Sequence, residues 1–310
     1  MSFITGTGTR MCWSKEGTFN TAGTAASAAL INLTSEGLSV AVEKGDEGSL
    51  LASKTASSRA LLGITSSGSV SSILRPEFAD LLLELTLGKK SGTTYTLADA
   101  GAYIPSFTVY LNRGTGFSSY TGMTINSTTI DCAAGDFVKI SNDLMGTGNQ
   151  GTVSTADATT LNGISYKKPS YRCTNASLTK GGTSFDVSSC SITINNALVE
   201  APKVYSSGLY RLQPKPAQRE VTVSLTIPYS ADVDAFAKSY LTTEENVALV
   251  LKFTSTDSEN EYITITMPAV AITSVTNNVS GTGLVEASIE GTALSVTGEP
   301  ITVALNTASK

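Results

Sequence analysis

The side chains available for acid–base chemistry are carboxylates and a few thiols, because the chain contains no histidine. That absence removes most triad, proton-shuttle and metal-site chemistry at once. Two carboxylates alone can still run a hydrolysis, and three acidic clusters occur: Asp232 with Asp234, Glu244 with Glu245, and Asp257, Glu259 and Glu261. They fall at a predicted helix start and in turn-like segments, where capping and solubility account for them. Cys12, Cys132, Cys173 and Cys190 are widely spaced with no C-x-x-C pair, so they read as free thiols of a reducing compartment. Residues Gly146 to Gly151 spell G-x-G-x-x-G. A dinucleotide site needs that motif between a buried strand and a packed helix, and Thr152 to Asp157 start no amphipathic helix, so the motif reads as linker. The expectation is a protein that is not an enzyme and uses no cofactor and no metal.

The elements around these residues are strands. Of 310 residues, 41% are hydrophobic and 15% charged. Thr, Ser, Gly and Asn fill much of the rest, which favours strands and turns and predicts an all-β fold with short helices. The net charge of −5 disfavours a nucleic-acid grip, which depends on Lys and Arg displacing counterions from phosphate. The Lys89-Lys90 and Lys167-Lys168 clusters read as solvated loop charges. The first residues show no signal peptide, and no apolar run approaches the ~20 residues of a membrane helix. Assembly in a cytoplasm without membrane contact is expected.

The chain also repeats itself. Leu38 to Lys44 alternates apolar and polar residues as Cys190 to Asn196 does, and each is followed by a long irregular loop. Gly68 to Pro76 then matches Glu220 to Pro228. Both prolines lead into amphipathic stretches, with Phe78, Leu81, Leu82 and Leu85 at helical spacing before a Gly88 stop, and Val233, Phe236, Ala237 and Tyr240 at the same spacing. Phe107–Asn112 matches 248–253, Tyr120–Ile130 matches Tyr262–Ile272, and Phe137–Ser141 matches Leu284–Ser288. The division that follows is an N-terminal arm (1–33), a first β domain (34–145), a linker (146–183), a second β domain (184–300) and a tail (301–310).

Each unit of about five strands has sheet edges to protect, and a ring that continues one sheet from subunit to subunit protects them. The loops Glu43–Leu62 and Ala197–Gln218 exceed the length of ordinary connections and carry charges suited to ring-to-ring contacts: Asp46 and Glu47 on one, Lys203, Arg211, Lys215 and Arg219 near the other.

Several segments resemble the tail tube proteins of long-tailed phages. They are Lys15 to Thr24 leading into Leu33 to Leu38, Gly68 to Leu82, Ser106 to Gly114, and Tyr120-Thr-Gly-Met123. The resemblance implies two tandem tube-like β-sandwich domains whose inner sheets join a ring-shaped β-barrel around a DNA channel. It implies rings stacked head-to-tail, hexameric for single-domain members and trimeric with pseudo-sixfold symmetry for duplicated ones. It further implies tail tip and tail terminator proteins as partners, a tape measure protein inside, DNA passing without specific binding, and a place in the virion tail after assembly in the host bacterial cytoplasm. Ser39, Ala41, Glu43, Ser191, Thr193 and Asn195 are the expected lumen residues. The alternative is a non-catalytic β-sandwich binding module such as a phage adhesin or decoration protein, and a carboxylate-dependent hydrolase is a remote third.

Overall fold

The computed structural model describes residues 5–46, 59–173, 176–180, 183–202, 204, 207–231, 233–234, 246–255, 261–278, 285–296 and 298–306. It is a β-protein. The principal strands in chain order are β1 (Arg10–Lys15), β2 (Ser39–Asp46), β3 (Arg59–Ile73), β4 (Thr94–Leu97), β5 (Phe107–Asn112), β6 (Phe117–Ala133), β7 (Lys139–Gly146), β8 (Ala176–Lys180), β9 (Ser189–Asn195), β10 (Glu220–Pro228), β11 (Val247–Thr254), β12 (Tyr262–Asn278), β13 (Glu286–Ala293) and β14 (Thr302–Asn306). Two helices accompany them, α1 (Pro76–Leu87) and α2 (Thr155–Gly163).

Helix α1 forms as its sequence predicts. Pro76 opens it at a position where the missing N–H costs nothing, and Gly88 ends it in the left-handed region with its N–H donating to Glu84 O. A Cβ at Gly88 would also meet Ala98 Cβ at 2.8 Å. Phe78, Leu82 and Leu85 are buried with Leu83 and Leu87, whereas Leu81 is only partly covered. Of the second amphipathic stretch, Phe236, Ala237 and Tyr240 lie outside the described residues, and Val233 is buried.

The sheet repeats one order of pairings. Strand β2 pairs with β3, β3 with β7, and β7 with the C-terminal half of β6, all antiparallel. Likewise β9 pairs with β10, β10 with β13, and β13 with the C-terminal half of β12. The N-terminal halves of the two long strands turn to other partners: β6 to β5, and β12 to β11 and β14. Both long strands carry a bulge where they cross over, between Asp143 and Leu144 on the β7 side and between Ile272 and Ser274.

With Ser141 matched to Ser288, these ladders shift the other four sequence correspondences: Leu38 matches Ile192 and not Cys190, and Phe107 and Val109 match Val247 and Leu249. Ser141 pairs with Ser71 and Ser288 with Thr226, so Val70 corresponds to Leu225, both buried, and aligning Pro76 with Pro228 sets the wrong face. The bulges place Ser127 with Ser274, so matching Tyr120 to Tyr262 was out of register. Strand alternation repeats every two residues, so the two-residue slip at Leu38 keeps the faces, whereas the odd slips at Pro76 and Tyr120 set buried positions against exposed ones.

The segments outside the two expected domains also belong to the core. Strand β1 pairs along β5 and buries Met11, Cys12 and Trp13 completely. Strand β14 joins β12 to β4 and buries Val303 and Leu305, with Ile301 buried just before it. The 146–183 segment contains α2, capped by Ser154, whose Oγ accepts from Asp157 N at 3.1 Å and donates to Asp157 Oδ2 at 2.7 Å. Arg10 donates to Leu161 O at 2.9 Å and ties this helix to β1.

Lys167 and Lys168 are not simply solvated. Their amides donate to Glu77 Oε1 at 2.8 and 2.7 Å, and the Lys168 ammonium pairs with the buried Glu261. Arg75 stacks over Tyr166 at 4.0 Å and donates to Lys168 O at 2.6 Å.

Candidate assembly surface

Eight strands lie side by side in the order β2, β3, β7, β6, β9, β10, β13 and β12. One face is apolar and packs on the core through Val70, Ile140, Ile130, Ile192, Val223 and Ile289, all under 5% exposed. Alternation sends Ser and Thr to the other face. There Thr129 and Thr193 hydroxyls meet at 3.0 Å, Ser191 donates to Asp131 Oδ1 at 2.6 Å, and Ser274 donates to Glu290 Oε2 at 3.1 Å. The alternation also places Asp143, Glu220 and Glu286 on this face, all exposed. Lys139 is a cation there, and Asp136 engages it at 2.5 Å.

The six expected lumen residues lie on this polar face. Ser191, Thr193 and Asn195 alternate with the buried Cys190, Ile192 and Ile194. Ser39, Ala41 and Glu43 are exposed on β2, out of phase with the buried Leu38.

Each of the described charged loop residues engages a local partner. Asp46 pairs with Arg59 at 2.8 Å across the β2–β3 hairpin. Arg211 pairs with Glu200, and the Lys215 ammonium lies 4.8 Å from the Tyr103 ring centre. This loop rests on the first half of the chain, with Ile64 N donating to Leu209 O at 3.1 Å and Gln213 donating to Ile104 O at 2.8 Å. Arg219 turns inward and donates to Asn196 Oδ1 at 2.9 Å, Leu87 O at 3.1 Å and Ala98 O at 3.4 Å. Burial pulls its guanidinium down to about 10, so it stays charged at neutral pH and faces the negative end of α1. Glu47 and Lys203 lie outside the described residues.

The two halves meet at a strand seam. Strand β9 pairs with β6 from Ser189 opposite Ala133 to Asn195 opposite Ser127. Ala134 N donates to Ser188 O at 2.9 Å and Asn196 N to Asn126 O at 2.8 Å. By alternation Thr129 and Thr193 are then a non-hydrogen-bonded pair, the closer kind for side chains. Cys132 and Cys190 also oppose each other here, buried beside the core, and burial pushes the Cys190 thiol up to about 12. Among the described residues no group of three or more Cys, Asp or Glu side chains is placed to hold a metal ion.

Sequence reasoning missed the contact that sets the start of β2. Arg113 grips Glu36 with two hydrogen bonds of 2.7 and 2.8 Å and donates to Leu38 O at 2.7 Å. The hydrogen bonds from Arg113 hold the Glu36 carboxyl below its ordinary value of 4.5. A depressed folded value means the stabilisation is present above the ordinary value and is lost as pH falls through the depressed one. Glu36→Gln is expected to lower the urea midpoint modestly at neutral pH and to match the parent once both are acidified below the folded value. Equal midpoints at neutral pH would count against the pair.

The phage tail tube protein family matches residues 6–293 of the 310. This chain belongs to that family. As a phage tail tube protein it is a structural component of the virion tail, and the match takes in β1 and the 146–183 segment as well as both halves of the sheet. No curated protein matches the chain. Among the described residues no helix is long and apolar enough to cross a membrane.

Proposed function

We propose that the chain is the repeating subunit of a hollow tail tube, in which the polar face of the eight-strand run lines a channel for DNA. The observation that carries this reading is the chemistry of that face. Short hydroxyls and the acids Asp131, Asp143, Glu220, Glu286 and Glu290, with Lys139 engaged by Asp136, offer DNA little cationic grip, so a duplex slides past without being held. The twice-repeated order of strands supports two duplicated tube-like domains, split near 34–145 and 184–300. Three chains then supply six equivalent units, a trimeric ring with pseudo-sixfold symmetry rather than a hexamer of chains. Rings stacked head-to-tail would meet tail tip and terminator proteins at the ends and a tape measure protein inside, with assembly in the host cytoplasm. Asp46, Glu47, Lys203, Arg211 and Lys215 remain proposed contributors to stacking, while the inward hydrogen bonds of Arg219 favour a structural role.

Negative-stain electron microscopy of the purified chain at rising concentration tests this. Tubes of constant width with a stain-filled channel are expected, with three-fold end views. Compact particles at every concentration, even with tail-tip extract added as a nucleus, would favour the adhesin-like or decoration-protein alternative.

A further inference from the structure

Two edges of the eight-strand run have no partner strand among the described residues: the outer side of β2, and the outer side of β12 beyond Val270. Resting on the tube reading above, in which the sheet continues from one copy to the next, we infer the register of that junction: these two edges meet as the strands of the internal seam do.

The register follows from matching rows of the sheet. Ser39, Ser67, Met145 and Thr124 form one row across β2, β3, β7 and β6. Thr193, Thr222, Thr292 and Ala271 form the corresponding row across β9, β10, β13 and β12. Ser39 therefore occupies the place of Thr193. On the other side of the seam, Thr129 pairs with Ser141 and Thr276 with Ser288, so Thr276 occupies the place of Thr129. Thr193 and Thr129 face each other within the chain, and Ser39 must then face Thr276 of the next copy. One step along, Val40 faces Val275. Both are half-buried and already pack against the core, so the pairing completes their burial. One step further, Ala41 faces Ser274. The matching of small hydroxyls with small hydroxyls and valine with valine is independent of the rows and agrees with them. The occupant is a second copy because β9 is itself the partner that the equivalent edge of β6 accepts.

Ser39 and Thr276 would form a non-hydrogen-bonded pair, like Thr193 and Thr129, with Cβ atoms close enough for a disulfide. The test is the full chain carrying Ser39→Cys and Thr276→Cys, assembled and then oxidised with glutathione disulfide. Each protein disulfide forms as one glutathione disulfide is reduced to two thiols. Non-reducing gels are expected to show covalent dimers and trimers in most of the protein, ending at trimer if the ring holds three chains. Each single variant, with only the native buried thiols besides, should stay monomeric. The out-of-register pair Ala41→Cys with Thr276→Cys should cross-link at least tenfold less. Normal tubes without Ser39–Thr276 cross-links, or stronger links from the shifted pair, would overturn this register and leave the tube reading intact. A parent chain that forms no tubes or rings would overturn both. Hydrogen exchange on the unmodified chain gives a second readout: the amides of Val40 and Val275 should gain protection on assembly, and unchanged exchange in formed tubes would also overturn the register.

Discussion

Trp13→Ala is expected to cost about 3–5 kcal/mol of folding stability, the range for truncating a fully buried large aromatic. Trp13 has no exposed surface, meets Phe78 edge-on at 5.2 Å between ring centres and leans on Phe107 at 4.6 Å. It therefore joins three elements, β1, α1 and β5, at one point of the core. Its indole Nε1 is buried and finds no hydrogen-bond partner among the described residues, so Trp13→Phe removes a group that is costly to bury and should cost clearly less. Urea unfolding followed by circular dichroism measures both variants. A midpoint for Trp13→Ala close to that of the parent would mean that β1 is not docked in solution.

The second large effect is expected three residues on. Glu16 is 6% exposed, and its carboxylate accepts from Ser106 Oγ at 2.7 Å, Thr108 Oγ1 at 2.8 Å, Gly122 N at 2.8 Å and Asn20 N at 2.9 Å. It gathers donors from β5, β6 and the turn after β1 around one charge. Glu16→Ala leaves these donors facing an empty site, at a cost of about 3 kcal/mol or more. Glu16→Gln keeps the shape but points an amide donor at other donors, so it should fall between parent and alanine. A glutamine variant as stable as the parent would show that the charge contributes little.

Much of the architecture could be read from local pattern. The alternation in 190–194 and 221–227 and the Phe78, Leu82, Leu85 face with its Gly88 stop each depend on a few neighbouring residues, and the structure keeps them. Helix α2 escaped because Leu161 is its one buried residue and leaves no apolar stripe, although Ser154 and Asp157 formed a visible cap signal. The Lys168–Glu261 pair joins residues 93 apart in sequence, and no local pattern announces such a contact. The polar face was legible where alternation is regular, as at Ser191, Thr193 and Asn195, yet its acids Asp131 and Glu290 emerged only once the registers were known. The bulges near Asn126 and Thr273 shift the count by one residue and are invisible to a pattern of period two.

The internal seam between β6 and β9 also changes the statistics of assembly. A ring of six separate units would require every seam to form between free molecules, each association losing roughly 4–15 kcal/mol of translational and rotational freedom. In the proposed ring the chain itself would hold alternate seams together, so six units would need only three molecules. The 146–183 connection, folded down by Glu77, Arg75 and Lys168, further limits the positions the second half can sample. Nucleating a ring should accordingly depend on a lower power of protein concentration than it would for a subunit with a single copy of the sheet.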